Sequence, residues 1–268
     1  MALGEATRVG AATNWGLRSD ESILELFSHR GTLFGVGLGI LYTVNTSTGV
    51  ATRVTMLSGI NVTAFTSNGS TVYCRRSDLI AISTLDTSNG NLTRVGSADR
   101  FGVGLEAPRG LAWHGGKLYL SNLDHPYIGA PGGIYEVNAT TGVASMVSAR
   151  SGSAGPIESH AGVLYMSLGR ANERPGLGAI YTVNIETGVV TQVGSVLNYG
   201  LSVNAGVVSM SSHNGTLYVP IFGSLYTLET PPPPRVNLLR FGADTAGKYY
   251  LGADEVDAMY LDGTKVYG

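Results

Sequence analysis

Apolar and polar positions alternate along this chain in short runs, and each run is broken by a glycine-bearing turn. One run reads ILYTVNTSTGVATRV from Ile40, another GIYEVNATTGVASMV from Gly133 and a third AIYTVNIETGVVTQVG from Ala179. LIAISTLDTSNGNLTRVG from Leu79 and SLYTLETPPPPRVN from Ser224 are degraded copies. Upstream of each lies a second phrase, an apolar run, a turn and a run ending in Leu-Tyr or its equivalent. Its six examples are ILELFSHRGTLFGVG from Ile23, VTAFTSNGSTVYCRR from Val62, GLAWHGGKLYLSN from Gly110, IESHAGVLYMSLG from Ile157, VVSMSSHNGTLYVPI from Val207 and VDAMYLDGTKVYG from Val256. Alternating β-branched and aromatic residues on both sides of an N-G, G-G or D-G turn signal a hairpin. Each repeat therefore reads as four strands: a and b form that hairpin, I-Y-T-V-N is c, and T-R-V-G, after a T-G turn, is d. No segment sustains a 3.6-residue apolar period. The helical-looking DESILELF from Asp20 to Phe27 aligns with strand a of the other copies and reads as strand.

The turn glycines at 49, 90, 142 and 188 stand 41, 52 and 46 residues apart. One four-stranded propeller blade per repeat gives such a period. The expectation is an all-β, six-bladed propeller with four-stranded antiparallel blades, one domain over residues 1–268. EATRVG at Glu5 to Gly10 matches strand d, and Gly4 to Gly10 aligns with Gly90 to Gly96. This N-terminal strand, about 5–10, is expected to close the ring by joining a C-terminal blade at about 243–268. That sixth blade lacks an L-Y-x-V-N strand, because the chain stops at Val266, Tyr267 and Gly268. A three-stranded blade, a shortened chain, or a strand donated by another molecule would each account for the gap. The run Pro231 to Pro234, which replaces the fifth T-G turn, reads as a stiff blade edge.

Composition narrows the class of function. Charged residues are 13% of the 268, and glycine, at 38, is abundant, as many short strands joined by tight turns require. A net charge of -2 gives no reason to expect nucleic acid or an anionic membrane as partner. No stretch of 18 apolar residues predicts a membrane-inserting helix. The N-terminus has neither a basic nor an apolar signal region, so the chain is expected to be intracellular, processed or carried in a particle. A lone cysteine, Cys74, in the run STVYCRR excludes an intramolecular disulfide and reads as an inert strand residue. Asn45, Asn61, Asn68, Asn91, Asn138 and Asn214 open N-x-S/T triplets that read as turn chemistry.

The irregular connections, d to a and b to c, are expected to crowd one face of the ring around the channel mouth. They contain Trp15, Arg18, Arg100, Phe101, Arg109, Asp124, His125, Tyr127, Asn172, Arg174 and Tyr199. Aromatic rings beside arginine, aspartate and asparagine suit a glycan or peptide, and the simpler reading has the aromatics anchoring their loops. His29, His114 and His213 recur at or beside the a–b turn, so the repeat explains them, and no two of the five histidines have metal-site spacing. No G-x-S-x-G elbow occurs, and the glycine-rich run near Gly102 precedes no helix.

The phrase L-Y-x-V-N-x-x-T-G-x-x-T-x-V-G resembles the T-G-turn propellers of surface and particle-associated proteins, akin in pattern to the NHL and YVTN types. That resemblance implies a fold and no reaction. With low charge and much Gly, Ser, Thr and Asn, it points to a virion or extracellular surface setting. The expected function is a non-enzymatic binding or assembly module, without cofactor, whose long-loop face meets a glycan, a peptide or a neighbouring protein subunit. The enzymatic alternative resembles six-bladed calcium-dependent lactonases and arylesterases. Glu21, Glu158 and Asn204, with Glu106, Asp254 and Glu255, fall near strand a starts, where oxygen ligands could hold Ca2+ at the channel.

Overall fold

The computed structural model describes residues 3–58, 62–78, 80–105, 108–122, 132–149, 154–168, 179–194, 198–201, 207–221 and 223–231, with short strand segments between 250 and 267. The chain divides into two compact units, Met1–Pro231 and Pro232–Gly268, and the division falls within the proline run. The first unit is a propeller of five blades. After β1 (Ala6–Arg8), blade 1 holds β2 (Glu25–His29), β3 (Thr32–Gly37), β4 (Ile40–Val44) and β5 (Ala51–Met56). Blade 2 holds β6 (Val62–Ser67), β7 (Val72–Arg76), β8 (Ala81–Leu85) and β9 (Leu92–Arg94). In blade 3 are β10 (Pro108–His114), β11 (Lys117–Asn122), β12 (Gly133–Val137) and β13 (Ala144–Ala149), and in blade 4 β14 (Ala154–His160), β15 (Val163–Leu168), β16 (Ile180–Val183) and β17 (Val190–Gln192). Blade 5 takes β18 (Ser211–His213), β19 (Thr216–Ile221) and β20 (Ser224–Leu228) from one end of the unit and β1 from the other.

The blade count corrects the expected six. The inner strands touch in the cycle β2, β6, β10, β14, β18 and back to β2, so the ring closes at five. The N-terminal strand closes it as expected, but against β20 rather than against residues 243–268: Ala6 pairs with Leu228, Thr7 with Thr227 and Arg8 with Tyr226. Gly4 N–H donates to the Glu229 carbonyl at 2.7 Å, as Gly49 does to Asn45 and Gly142 to Asn138 at 2.8 Å. Leu3-Gly4 and Glu229 thus rebuild a T-G turn across two distant chain segments. The Val256 phrase forms a separate hairpin in the second unit, β23 (Met259–Leu261) with β24 (Thr264–Tyr267), beside the pair β21 (Tyr250–Leu251) and β22 (Asp254–Glu255). A donated sixth-blade strand has no sixth blade in this ring to complete.

The core lies between blades, in five apolar clusters, one at each junction. A strand's side chains alternate between its two faces, which is why Leu-Tyr recurs in strand b. Leu118 packs toward blade 2 while Tyr119 packs toward blade 4. Leu164 and Tyr165, and Leu217 and Tyr218, split between their flanking junctions in the same way. Phe27 stacks on Phe34 within its blade and on Phe65 of the next, both at 5.1 Å. The turns interlock too. A Cβ on Gly49 would stand 2.9 Å from the Val9 carbonyl oxygen and one on Gly10 closer still to the Thr48 backbone, both at positive φ. Gly142 meets Val95 in the same manner. That V-G against T-G contact explains why both glycines belong to the repeat.

Candidate functional site at the channel mouth

Three of the loop residues expected to face a ligand have a place in the described structure that shows their work. Trp15 and Tyr199 are buried, at 0% and 1% exposure, and Phe101 likewise at 0%. Each sits five residues after the glycine of a V-G pair, at Gly10, Gly96 and Gly194, and just before another glycine. Each has positive φ, 57°, 58° and 57°, inside a single 3₁₀ turn that turns the ring back into the junction core. The three plug the junctions of blades 5 and 1, 2 and 3, and 4 and 5. Tyr199 Oη lies 3.3 Å from Ser167 Oγ, and burial pushes its phenol well above the usual range. They are anchors, as the simpler reading held.

The remaining loop residues do not gather. Arg18 and Arg100 are exposed, and Arg109 is half-buried with its Nε enclosed and unpaired. Asp124, His125, Tyr127, Asn172 and Arg174 lie outside the described residues, as do Asn204 and Glu106. Glu21 precedes β2 on the loop side, where it accepts from Tyr42 Oη at 3.4 Å. Glu158 sits two residues from the hairpin end of β14, so the two carboxylates of the calcium reading lie toward different ends of the inner strands. Among the described residues no group of three or more His, Cys, Asp or Glu is placed to hold a metal ion.

The other end of the channel is built from all five blades. Strand register aligns Ser28, Ser67, Trp113, Ser159 and Ser212, each opposite the b-strand residue Leu33, Val72, Leu118, Leu164 or Leu217. At four of five junctions the next residue is a histidine that reaches the following blade's serine. His29 Nδ1 lies 2.8 Å from Ser67 Oγ, and His114, His160 and His213 lie 2.9 Å from Ser159, Ser212 and Ser28. His213 also takes a 3.1 Å contact from the Asn214 amide nitrogen at Nε2, which places its own proton on Nδ1, toward Ser28. Burial lowers all four imidazoles below their ordinary pKa, with Arg30 adding to the effect at His29. Between blades 2 and 3 the pair is Asn68 and Trp113 instead, and there Trp113 stacks on Tyr73 at 5.8 Å and 4°.

This ring of clasps surrounds a cavity of about 280 Å³ whose lining includes Phe27, Ser28, Arg30, Thr66, Ser67, Gly69, Trp113, Glu158, Ser159 and Ser212. Trp113 N–H donates to Thr66 Oγ1 at 2.9 Å, and Ser212 N–H to Glu158 Oε1 at 3.0 Å. Glu158 is enclosed by protein, with part of its surface open to the cavity. Burial pushes its carboxyl up to about 8, opposed only by the Ser212 N–H. The Ser-His pairs do not make an acyl-transfer site. They repeat around the ring as fasteners, and the two backbone N–H groups beside them already serve Thr66 and Glu158 rather than standing ready for an oxyanion.

Histidine recurrence was visible in the sequence as part of the repeat; the aligned serine one residue earlier was the signal for its partner. Glu158 carried no such signal, because it replaces Phe27, Thr66, Ala112 and Ser211 of the other copies without a pattern.

Neither a protein-family model nor a curated protein sequence matches this chain. Solved structures do. A chain of the nidogen/laminin complex aligns at 13% identity and TM-score 0.52, over 75% of this chain and 72% of that one. The PQQ-bound aldose sugar dehydrogenase of Streptomyces coelicolor aligns at 11% identity and TM-score 0.52, over 86% of this chain and all of the other. At such identities the likeness is one of fold, and the chain is a β-propeller.

Proposed function

We propose that this protein is a binding module without chemistry of its own, whose ligand enters the channel mouth on the a–b hairpin face. The observation that carries this reading is the cavity lined by side chains of all five blades, tied together by the histidine-serine clasps. A rim braced in this way costs little to order on binding, and preorganisation of that kind favours affinity. The cavity is slightly smaller than sites for drug-sized molecules, so it suits a small molecule or the tip of a larger one. The long-loop face, proposed from sequence for a glycan, peptide or subunit, loses Trp15 and Tyr199 to the core.

A ligand screen scored by thermal shift tests this. Occupancy at a hundred times Kd adds about 2.7 kcal/mol, or several degrees for a unit of this size. Hits should disappear in Trp113→Ala and persist when Arg18 and Arg100 are both alanine. Hits with the opposite dependence would move the site to the loop face.

A further inference from the structure

Two carboxylates are enclosed near the channel, and their surroundings differ. Glu25 is served by the Ser209 side chain, the Ala64 backbone and the Arg75 charge. Arg75 in turn donates from Nη1 to Thr63 Oγ1 at 3.0 Å, so this corner holds a cation beside its carboxylate, although the Arg75 Nε is enclosed without a partner. Glu158 receives the Ser212 N–H at one oxygen, and among the described residues its second oxygen has no partner. Among the described residues no cation is paired with it. Arg30, at the rim, is exposed and directed to the Ser70 carbonyl at 3.4 Å. A part-buried carboxylate with a single hydrogen bond among the described residues leaves an oxygen toward the cavity, where a ligand could complete the pairing.

Thr66 in the lining shares that polarity. Thr66 Oγ1 and Glu158 Oε1 both present as acceptors, and the donors nearest them, Trp113 N–H and Ser212 N–H, are consumed in the same bonds. Trp113 adds an aromatic face, stacked on Tyr73 and held in place. Two fixed acceptors, one of them a carboxylate, beside an indole favour a positively charged group, with the Arg30 guanidinium turned toward the Ser70 carbonyl. Resting on the channel-mouth reading above, the geometry points to an alkylammonium group as the ligand, paired with Glu158 and flanked by Trp113. Its source is either a free primary amine or a lysine side chain on a partner protein.

Trp113 also reports on the site. The chain has two tryptophans, and the other, Trp15, is buried at a position where equivalent turns carry Phe101 or Tyr199. In Trp15→Phe protein, indole fluorescence comes from Trp113 alone. The probes are n-butylamine, 1-butanol, butyrate and a pentapeptide with one central lysine, each titrated at pH 7 and pH 9. The facing imidazoles of His29, His114, His160 and His213, lowered by burial, are mostly neutral across that interval, Arg30 lies at the rim, and alkylamines keep their proton. Glu158, at about 8, passes from mostly protonated to mostly ionised. Amine affinity should therefore be about tenfold higher at pH 9 than at pH 7, and Glu158→Gln should abolish both binding and its pH dependence.

Tighter binding of the peptide than of butylamine would assign the group to a protein partner, and the reverse to a small amine. Butanol binding as well as butylamine, unaffected by Glu158→Gln, would overturn the cation while leaving the channel-mouth site in place. Silence from all four probes would overturn both.

Discussion

Replacing Glu158 by glutamine should remove about 1.4 kcal/mol per pH unit of the stability lost on the alkaline side. Glu25 and Glu158 are both raised from 4.5 to about 8, in each case first by burial. A carboxylate raised by folding contributes stability that is fully present below its unfolded pKa, and that stability is lost as pH climbs toward the folded value. Between pH 6.5 and 7.5 the folded protein holds one proton on each group that the unfolded chain has released. Each such proton makes unfolding easier by about 1.4 kcal/mol per pH unit, so the pair costs about 2.7 kcal/mol per unit. The clasp histidines act in the opposite sense. Burial holds them below the ordinary 6.5, so in this window the unfolded chain still carries imidazole protons that the folded protein lacks, and they add a rise of stability with pH that is common to the natural protein and the variant. Glutamine keeps an acceptor for the Ser212 N–H and removes the titration. Urea unfolding at quarter-unit steps from pH 6.5 to 7.5, at constant ionic strength, should give slopes that differ by about 1.4 kcal/mol per unit, the variant's being the more favourable with rising pH. Equal slopes in the two proteins would refute the assignment of that proton to Glu158.

Trp15→Phe should cost about 1 kcal/mol, since a phenyl ring already fills the equivalent plug at Phe101, whereas Trp15→Ala should cost about 3–5 kcal/mol; chemical denaturation distinguishes them. Gly10→Ala should be far worse than Gly31→Ala, roughly 3 against 1 kcal/mol, because both have positive φ but only the first drives a Cβ into a neighbouring backbone. A double-mutant cycle on His160→Ala and Ser212→Ala should show a coupling of about 1 kcal/mol, and additivity would remove the clasp. Cys74, buried and with its thiol pushed up to about 12, should resist alkylation at pH 8 until denaturant exposes it; stoichiometric labelling of folded protein would contradict that burial.

Much of this fold was legible because the repeat states the same physics several times. Period-two alternation located every strand of the ring, and the Leu-Tyr pair encoded which junction each side chain fills. The long loops were harder. Composition alone makes Trp15, Arg18 and Tyr199 look like a cluster of binding groups, and only backbone conformation separates a ring turned inward at positive φ from one offered to solvent. A regular clue existed in the constant spacing from Gly10, Gly96 and Gly194 to the aromatic-glycine pair. In the sequence Glu158, like Glu21, falls near the start of a strand a. Register with β15 puts it instead near the hairpin end, facing a cavity that no single repeat contains. Sites assembled from one residue per blade leave no local motif, because their parts are separated by a full repeat.

The number of blades was also decidable from pairing rules. A strand d needs a strand c to pair with, and it enters through a T-G turn that fastens to the V-G of the preceding blade. The fifth repeat lacks its own strand d, because prolines follow Thr230 in place of the turn glycine. Ala6–Arg8 takes that place, paired along Ser224–Leu228. Leu3 and Gly4 then fall where the Val193-Gly194 corner of blade 4 requires a turn: a Cβ on Gly4 would lie 2.9 Å from the Val193 carbonyl oxygen. Pairing, turn and interlock all select the same register, and the N-terminal strand is committed to blade 5.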